Sequence, residues 1–257
     1  MKNLNIIFAF FILCIASITL HAAYLEGSVV FHTIRNNPEI TRNNVSEELQ
    51  IGTITTAKGL KIVCKKNQYV SLKFSNEVVI EILPESSLEI KEFKQVQPFK
   101  QKHYDERECA ESELSLLLNG GKINLISKEQ RAMSSLKIST TLGNFSLKGK
   151  AFIIEDKKTS AEISVVEGVA TYNSKNNKSD YVRNKQKGIV KDSTINQNFP
   201  LIIDRIGILE EQELSKSLSA CRQIQDSVLF EFDSSNKLIA KRIIFKEFIL
   251  RPPKYNY

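Results

Sequence analysis

Residues 136–172, LKISTTLGNFSLKGKAFIIEDKKTSAEISVVEGVATY, decide the fold. Leu136 and Ile138, Phe145 and Leu147, Phe152 and Ile154, and Ile163 and Val165 recur two positions apart within each pair. That period puts the apolar side chains on one face of extended backbone. Gly143, Gly149 and Gly168 punctuate the pattern as turn residues. The stretch describes a scaffold of strands and carries almost no chemistry of its own.

The same spacing recurs upstream. LEGSVVF, LQIGTITTAKG, LKIVC and YVSLKF follow one another between residues 25 and 74. In VVIEILPESSLEIKEF, alternation at Val78, Ile80 and Ile82 breaks at Pro84 and resumes at Leu88 and Ile90, which reads as strand, turn and strand. LSLLLNGGKINLIS reads as a hairpin reversing at Asn119-Gly120, where positive φ is needed. Residues 94–113 are polar and read as an inserted loop. Short strands at regular spacing with Gly and Asn between them give an all-β fold, with short antiparallel strands arranged as a sandwich or a β-solenoid.

Beyond Tyr172 the composition turns polar and rich in Asn and Lys, and GIVKDS reads as a last edge strand. The period then changes. Leu214, Leu218, Cys221, Ile224 and Val228 recur at helical spacing and form one apolar face. Glu210, Glu211 and Glu213 at its start and Lys216 and Arg222 later suit the helix dipole. This C-terminal amphipathic helix is expected to pack on the β-domain, because an exposed apolar face is costly.

At the N-terminus, MKNLNIIFAFFILCIASITLHAA has one lysine, an apolar run and small residues at Ala22 and Ala23, the pattern of a secretory signal peptide. The apolar run is about 15 residues, short of the ~20 that span a bilayer. The expected organisation is a signal peptide at 1–23, a β-domain at 24–192 and a C-terminal helical extension at 193–257. The product is expected to be exported, periplasmic or extracellular, without stable membrane insertion after signal cleavage.

The chain has 36 Lys and Arg against 29 Asp and Glu, a formal charge of +7. The basic residues are scattered through strands and loops rather than gathered on one helix, and no recognition motif accompanies them, so nucleic acid is not the expected partner. Outside the leader three cysteines remain, Cys64, Cys109 and Cys221. An oxidising compartment permits one pair: Cys64 with Cys109 is the preferred bridge, closing a loop worth about 2–4 kcal/mol, and three unpaired thiols are the alternative.

No catalytic signature stands out. His103, Asp105, Glu106, Glu108 and Cys109 crowd one polar segment, but zinc sites show paired and well-spaced Cys or His ligands, which this lacks. There is no nucleophile elbow and no phosphate-cradling glycine loop. Catalytic, cofactor-binding and metal-ligating residues are therefore assigned to none, and no cofactor is expected.

In this order, EGSVVF, LQIGTITTAKG, VSLKFSNEVVIEILPESSLEI, LSLLLNGGKINL and LKISTTLGNFSLKGKAFIIE leading into ISVVEGVATY resemble the FecR-type domain from about Leu25 to Val190. The resemblance implies an all-β, non-enzymatic module of exported bacterial proteins. Ser75-Asn76-Glu77 departs from the family's usual Asp-Gly-Ser turn, and no segment resembles the anti-sigma part of a full sensor regulator. The reading is an exported binding or interaction module whose partner is an unknown protein or a cell-envelope polymer. The alternatives are a periplasmic signalling component contacting a membrane partner, and an envelope polysaccharide hydrolase using two carboxylates.

Overall fold

The structure, a computed structural model, describes residues 24–96, 107–173, 179–192, 201–232 and 238–243. The leader at 1–23, His103 with Asp105 and Glu106, and the tail from 244 lie outside the described residues. In chain order the strands are β1 (Tyr24–Glu26), β2 (Ser28–Arg35), β3 (Glu39–Arg42), β4 (Val45–Ser46), β5 (Ile54–Thr56), β6 (Leu60–Cys64), β7 (Tyr69–Phe74), β8 (Val79–Ile82) and β9 (Ser86–Val96). They continue with β10 (Ser112–Leu118), β11 (Gly121–Ile126), β12 (Ser135–Ser139), β13 (Asn144–Lys157), β14 (Ser160–Asn173), β15 (Ser179–Arg183), β16 (Gln186–Lys191) and β17 (Leu201–Arg205). Helices α1 (Ile208–Ser217) and α2 (Ser219–Ser227) come next, and a separate hairpin of β18 (Val228–Phe232) and β19 (Leu238–Ile243) ends the described chain.

Strands β1 to β17 form one sheet curled into a flattened barrel with two facing walls. The first wall runs β5-β2-β7-β8-β11-β13-β14-β16-β17. The second runs β4-β3-β6-β9-β10-β12-β13-β14-β15, with β1 on the far half of β9. Strands β13 and β14, which hold the diagnostic stretch, belong to both walls. They bend together where Gly149 pairs with Gly168, beside the register shift at Ala151. There the backbones touch: φ is +138° at Gly149 and +135° at Gly168, and a Cβ on Gly149 would lie 2.2 Å from the Gly168 Cα.

The expectation of an all-β fold followed by a C-terminal helix stands, with the strands in one curled sheet, and three details differ. Strands β13 and β14 are long, at 14 residues each. Strands β10 and β12 run parallel, so the sheet is mixed. The two segments expected to fold back on themselves instead cross between walls: β8 pairs with β7 and β11 while β9 pairs with β6 and β10, and β10 and β11 likewise have different partners. Positive φ at Glu85 (58°) and at Gly120 (94°) serves an arch between sheets as well as it serves a hairpin. The two arches stack, since Asn119 N–H donates to Ser87 O at 2.8 Å and Ser87 N–H donates to Gly120 O at 3.0 Å.

Alternation fills the space between the walls. Val29, Phe31, Leu72, Phe74, Ile80, Leu125, Phe152 and Ile163 face in from the first, and Ile62, Leu88, Ile90, Phe93, Leu116, Ile138, Phe145 and Tyr172 from the second. Phe74 and Phe93 meet edge to face with centroids 5.5 Å apart. The helices lie against the outside of the first wall, where Leu214, Leu218, Cys221 and Ile224 pack on Val79, Ile126, Ala151 and Ile153. Val228, expected on the same helix, begins β18, while the rest of the expected apolar face docks through Leu214, Leu218, Cys221 and Ile224. Its single helix bends at Leu218 while keeping the bonds Leu218 N to Leu214 O and Arg222 N to Leu218 O. Strand β17, which the sequence pattern does not announce, joins β16 before the helices begin.

Candidate functional site

Under the helices the first wall is polar as well as apolar. Lys73 follows the inward Leu72 on β7 and so points outward, into a site with no solvent exposure. Its ammonium donates to Glu77 Oε2 at 2.8 Å and to the carbonyls of Gln225 and Val228 at the end of α2. A cation at a helix C-terminus satisfies carbonyls left without intrahelical partners and complements the dipole. Gln225 Nε2 donates in return to Glu77 O at 3.0 Å. One row along, Glu81 accepts from Tyr69 OH and, at 2.9 Å, from Asn124 Nδ2, which also donates to Ser217 O at 3.1 Å. These contacts fix the helices on the sheet.

A second buried polar centre lies at the far end of β9. Glu108 accepts from Ser112 Oγ at 3.0 Å and from Arg131 N–H at 2.7 Å, and its backbone carbonyl accepts from Arg131 Nε at 2.9 Å. Burial raises its carboxyl above the ordinary value against the pull of these donors. The neighbouring Cys109 Sγ donates to Ser75 O at 3.2 Å, and burial, helped by Glu77 and Glu108, pushes its thiol up to about 12. Of the polar segment weighed for a metal, Glu108 and Cys109 are thus structural. Among the described residues no group of three or more His, Cys, Asp or Glu is placed to hold one.

The expected disulfide is not formed. Cys64 is opposite Ser86 at the start of β9, whereas Cys109 contacts Ser75, whose Oγ donates to Gln95 Oε1 near the other end of that strand. Nine residues of strand separate Ser86 from Gln95, roughly 30 Å, and a disulfide tolerates a Cα separation of only about 7 Å. Cys64, Cys109 and Cys221 are all free and buried.

Two accessible surfaces stand out among the described residues. The first is a cleft between α1 and the first wall, lined by Lys122, Glu155, Glu162, Lys187 and Glu213 among others. Lys187 crosses it to Glu162 at 3.3 Å and to Glu210. Burial disfavours the Lys187 charge, but Glu210 and Glu162 outweigh it and raise its pKa, so the cleft is braced by ion pairs.

The second surface is the outer face of the second wall over β12 to β15. Registers align Lys137, Ser146, Thr171 and Tyr181 in one transverse row, and Lys148, Val169 and Arg183 in the next. Each of the three cations neighbours an inward apolar residue, Leu136, Leu147 or Val182, and alternation turns it outward. Lys137, Lys148, Tyr181 and Arg183 are exposed. In the sequence these cations are scattered over some 46 residues. The parity of each strand was the signal that would have gathered them.

Compared with protein families and with curated proteins, the sequence matches none. Among solved structures, a “putative anti-sigma factor” from Parabacteroides distasonis aligns over 67% of this chain and 67% of its own, at 10% identity and a TM-score of 0.44. A second structure of the same description and organism aligns over 71% of this chain and 98% of its own, at 7% identity and a TM-score of 0.43. Likeness at that level bears on neither family nor activity.

Proposed function

We propose that this chain is a non-enzymatic, exported FecR-type module of the bacterial cell envelope that works by binding a protein or an envelope polymer. One observation supports the reading above others: the helices and their buried Lys73 contacts cover the middle of one wall, while among the described residues nothing covers the outer face of the other over β12 to β15. A curled sheet with helices over one wall and a hydrophilic outer face on the other is built for contact rather than for enclosing a small substrate, which calls for a concave and mostly apolar pocket. The two buried polar centres also spend their hydrogen-bonding groups on the fold itself.

The test joins address to activity. Residues 1–23 fused to a reporter active only outside the cytoplasm should give activity, and the full chain should capture a saturable partner from envelope extracts. Cytoplasmic retention of the reporter sinks the export reading. Turnover of an envelope polysaccharide, abolished by one carboxylate substitution, sinks the non-enzymatic one.

A further inference from the structure

We infer that the outer face of β12 to β15 binds a linear acidic polysaccharide, its carboxylates meeting Lys137, Lys148 and Arg183 and a sugar ring stacking on Tyr181. This deepens the binding-module reading and rests on it. In the two transverse rows that carry the cations, Lys137–Ser146–Thr171–Tyr181 and Lys148–Val169–Arg183, there is no acidic residue, although the chain holds 29 of them against 36 basic ones. None of the three cations has an ion-pair partner among the described residues, whereas on β9, two strands from β12, Lys91 and Lys94 pair with Glu89 and Glu92, and Glu92 lies two strands from Lys137 in its row. Glu113 on β10 borders the patch, two strands from Lys148, and the Lys150–Glu167 pair at 3.3 Å closes its corner.

Geometry suits an extended chain. Lys148 and Arg183 lie two strands apart, about 10 Å, and the row from Lys137 to Tyr181 spans four strands, about 14 Å. The two rows lie side by side on exposed strand faces, so several residues of a polymer can contact them at once. Between the charged ends, the hydroxyls of Ser146 and Thr171 offer both donors and acceptors, which is what sugar hydroxyls require. Tyr181 is 52% exposed, an apolar ring with a polar tip presented to solvent. Such a ring packs against the apolar face of a sugar and answers no need of the core. A polyphosphate or nucleic acid would use the cations equally, but has less use for the hydroxyl row, and the stacking of unpaired bases usually calls on more than one aromatic platform.

The probe is polygalacturonate, an unbranched polymer of uronic acid, titrated into the purified full chain at low and physiological ionic strength. Binding is expected, weakening with salt because exposed charges are screened beyond about 8 Å at 0.15 M. The triple variant K137S/K148S/R183S should bind roughly tenfold more weakly or worse, from three exposed ionic contacts, and Tyr181→Ala should weaken binding with its salt dependence unchanged. A control triple K65S/K66S/K191S, with the same net charge, should bind as the parent does. Equal loss in the control overturns the site, and so does equal binding of uncharged dextran. Tighter binding of inorganic polyphosphate through the same residues overturns the polysaccharide assignment. All variants change exposed side chains, and matching thermal unfolding confirms that they fold. If the triple variant still captures its partner from envelope extracts, this surface fails while the binding-module reading stands.

Discussion

Lys73 and Glu77 form an ion pair of 2.8 Å in which neither side chain exceeds 3% exposure. Lys128, at 3.9 Å from the same carboxylate, adds a second and weaker contact. Buried pairs are poor sources of net stability because both charges are desolvated, yet losing one partner strands the other. Lys73→Met should therefore destabilise the chain by about 3–5 kcal/mol, read as a lower urea midpoint. Part of the loss should appear as faster amide exchange in α2, whose terminal carbonyls lose their donor. The double variant K73M/E77L should recover much of the stability, and equal stability of Lys73→Met and the parent would contradict the latch.

The bend shared by β13 and β14 gives a second expectation. Gly149 and Gly168 face each other at positive φ, and a Cβ on either would meet the backbone of the other strand. Gly149→Ala and Gly168→Ala should each cost about 1–3 kcal/mol through crowding, with a further penalty from the backbone conformation. Because each substitution strains the same contact, the double variant should cost less than the sum of the two. Thermal unfolding of the four proteins measures this, and additive losses would place the strain elsewhere.

How much of this was legible in the sequence follows from what period-two spacing can encode. It states which side chain faces in, and Phe145, Leu147, Ile163 and Val165 lie in the core accordingly. It does not state which strand lies alongside. Pro84-Glu85 and Asn119-Gly120 have the chemistry of a reversal, and an arch between walls uses the same residues and the same φ, so local signals could not separate the two. Lys73 was hidden for another reason: a lysine facing out of a strand is ordinarily solvated, and only the arrival of α2, some 150 residues later, buries it. The open face was readable in principle, because Lys137, Lys148 and Arg183 each follow an inward residue. Seeing them together required the register of four strands.

The free thiols yield an expectation that separates the structure from the disulfide anticipated from cysteine count. Burial pushes Cys64 and Cys109 up to about 12 and raises Cys221 as well, and the thiolate is the reactive form. A native chain lacking residues 1–23 should react negligibly with a thiol reagent at neutral pH and release three equivalents when unfolded without reductant. One equivalent on unfolding would mean that two of the cysteines are bridged.

Glu108 sets a pH dependence whose sign can be worked out. Its carboxyl is raised by burial in the folded chain, so between the unfolded and folded pKa values the native state holds the proton that the unfolded state has released. Stability then falls as pH rises through that window, because the native state binds more protons. The favourable contribution is present below the unfolded value, near 4.3, and is lost as pH passes the folded one. Glu108→Gln keeps an acceptor for Arg131 N–H and a group able to bond Ser112, but has no proton to lose. Relative to the parent it should gain stability steadily as pH increases from about 4, and then run parallel to it. Urea midpoints across that range read the difference directly, and a gain for the variant as pH falls would show that the donors, rather than burial, govern this carboxyl.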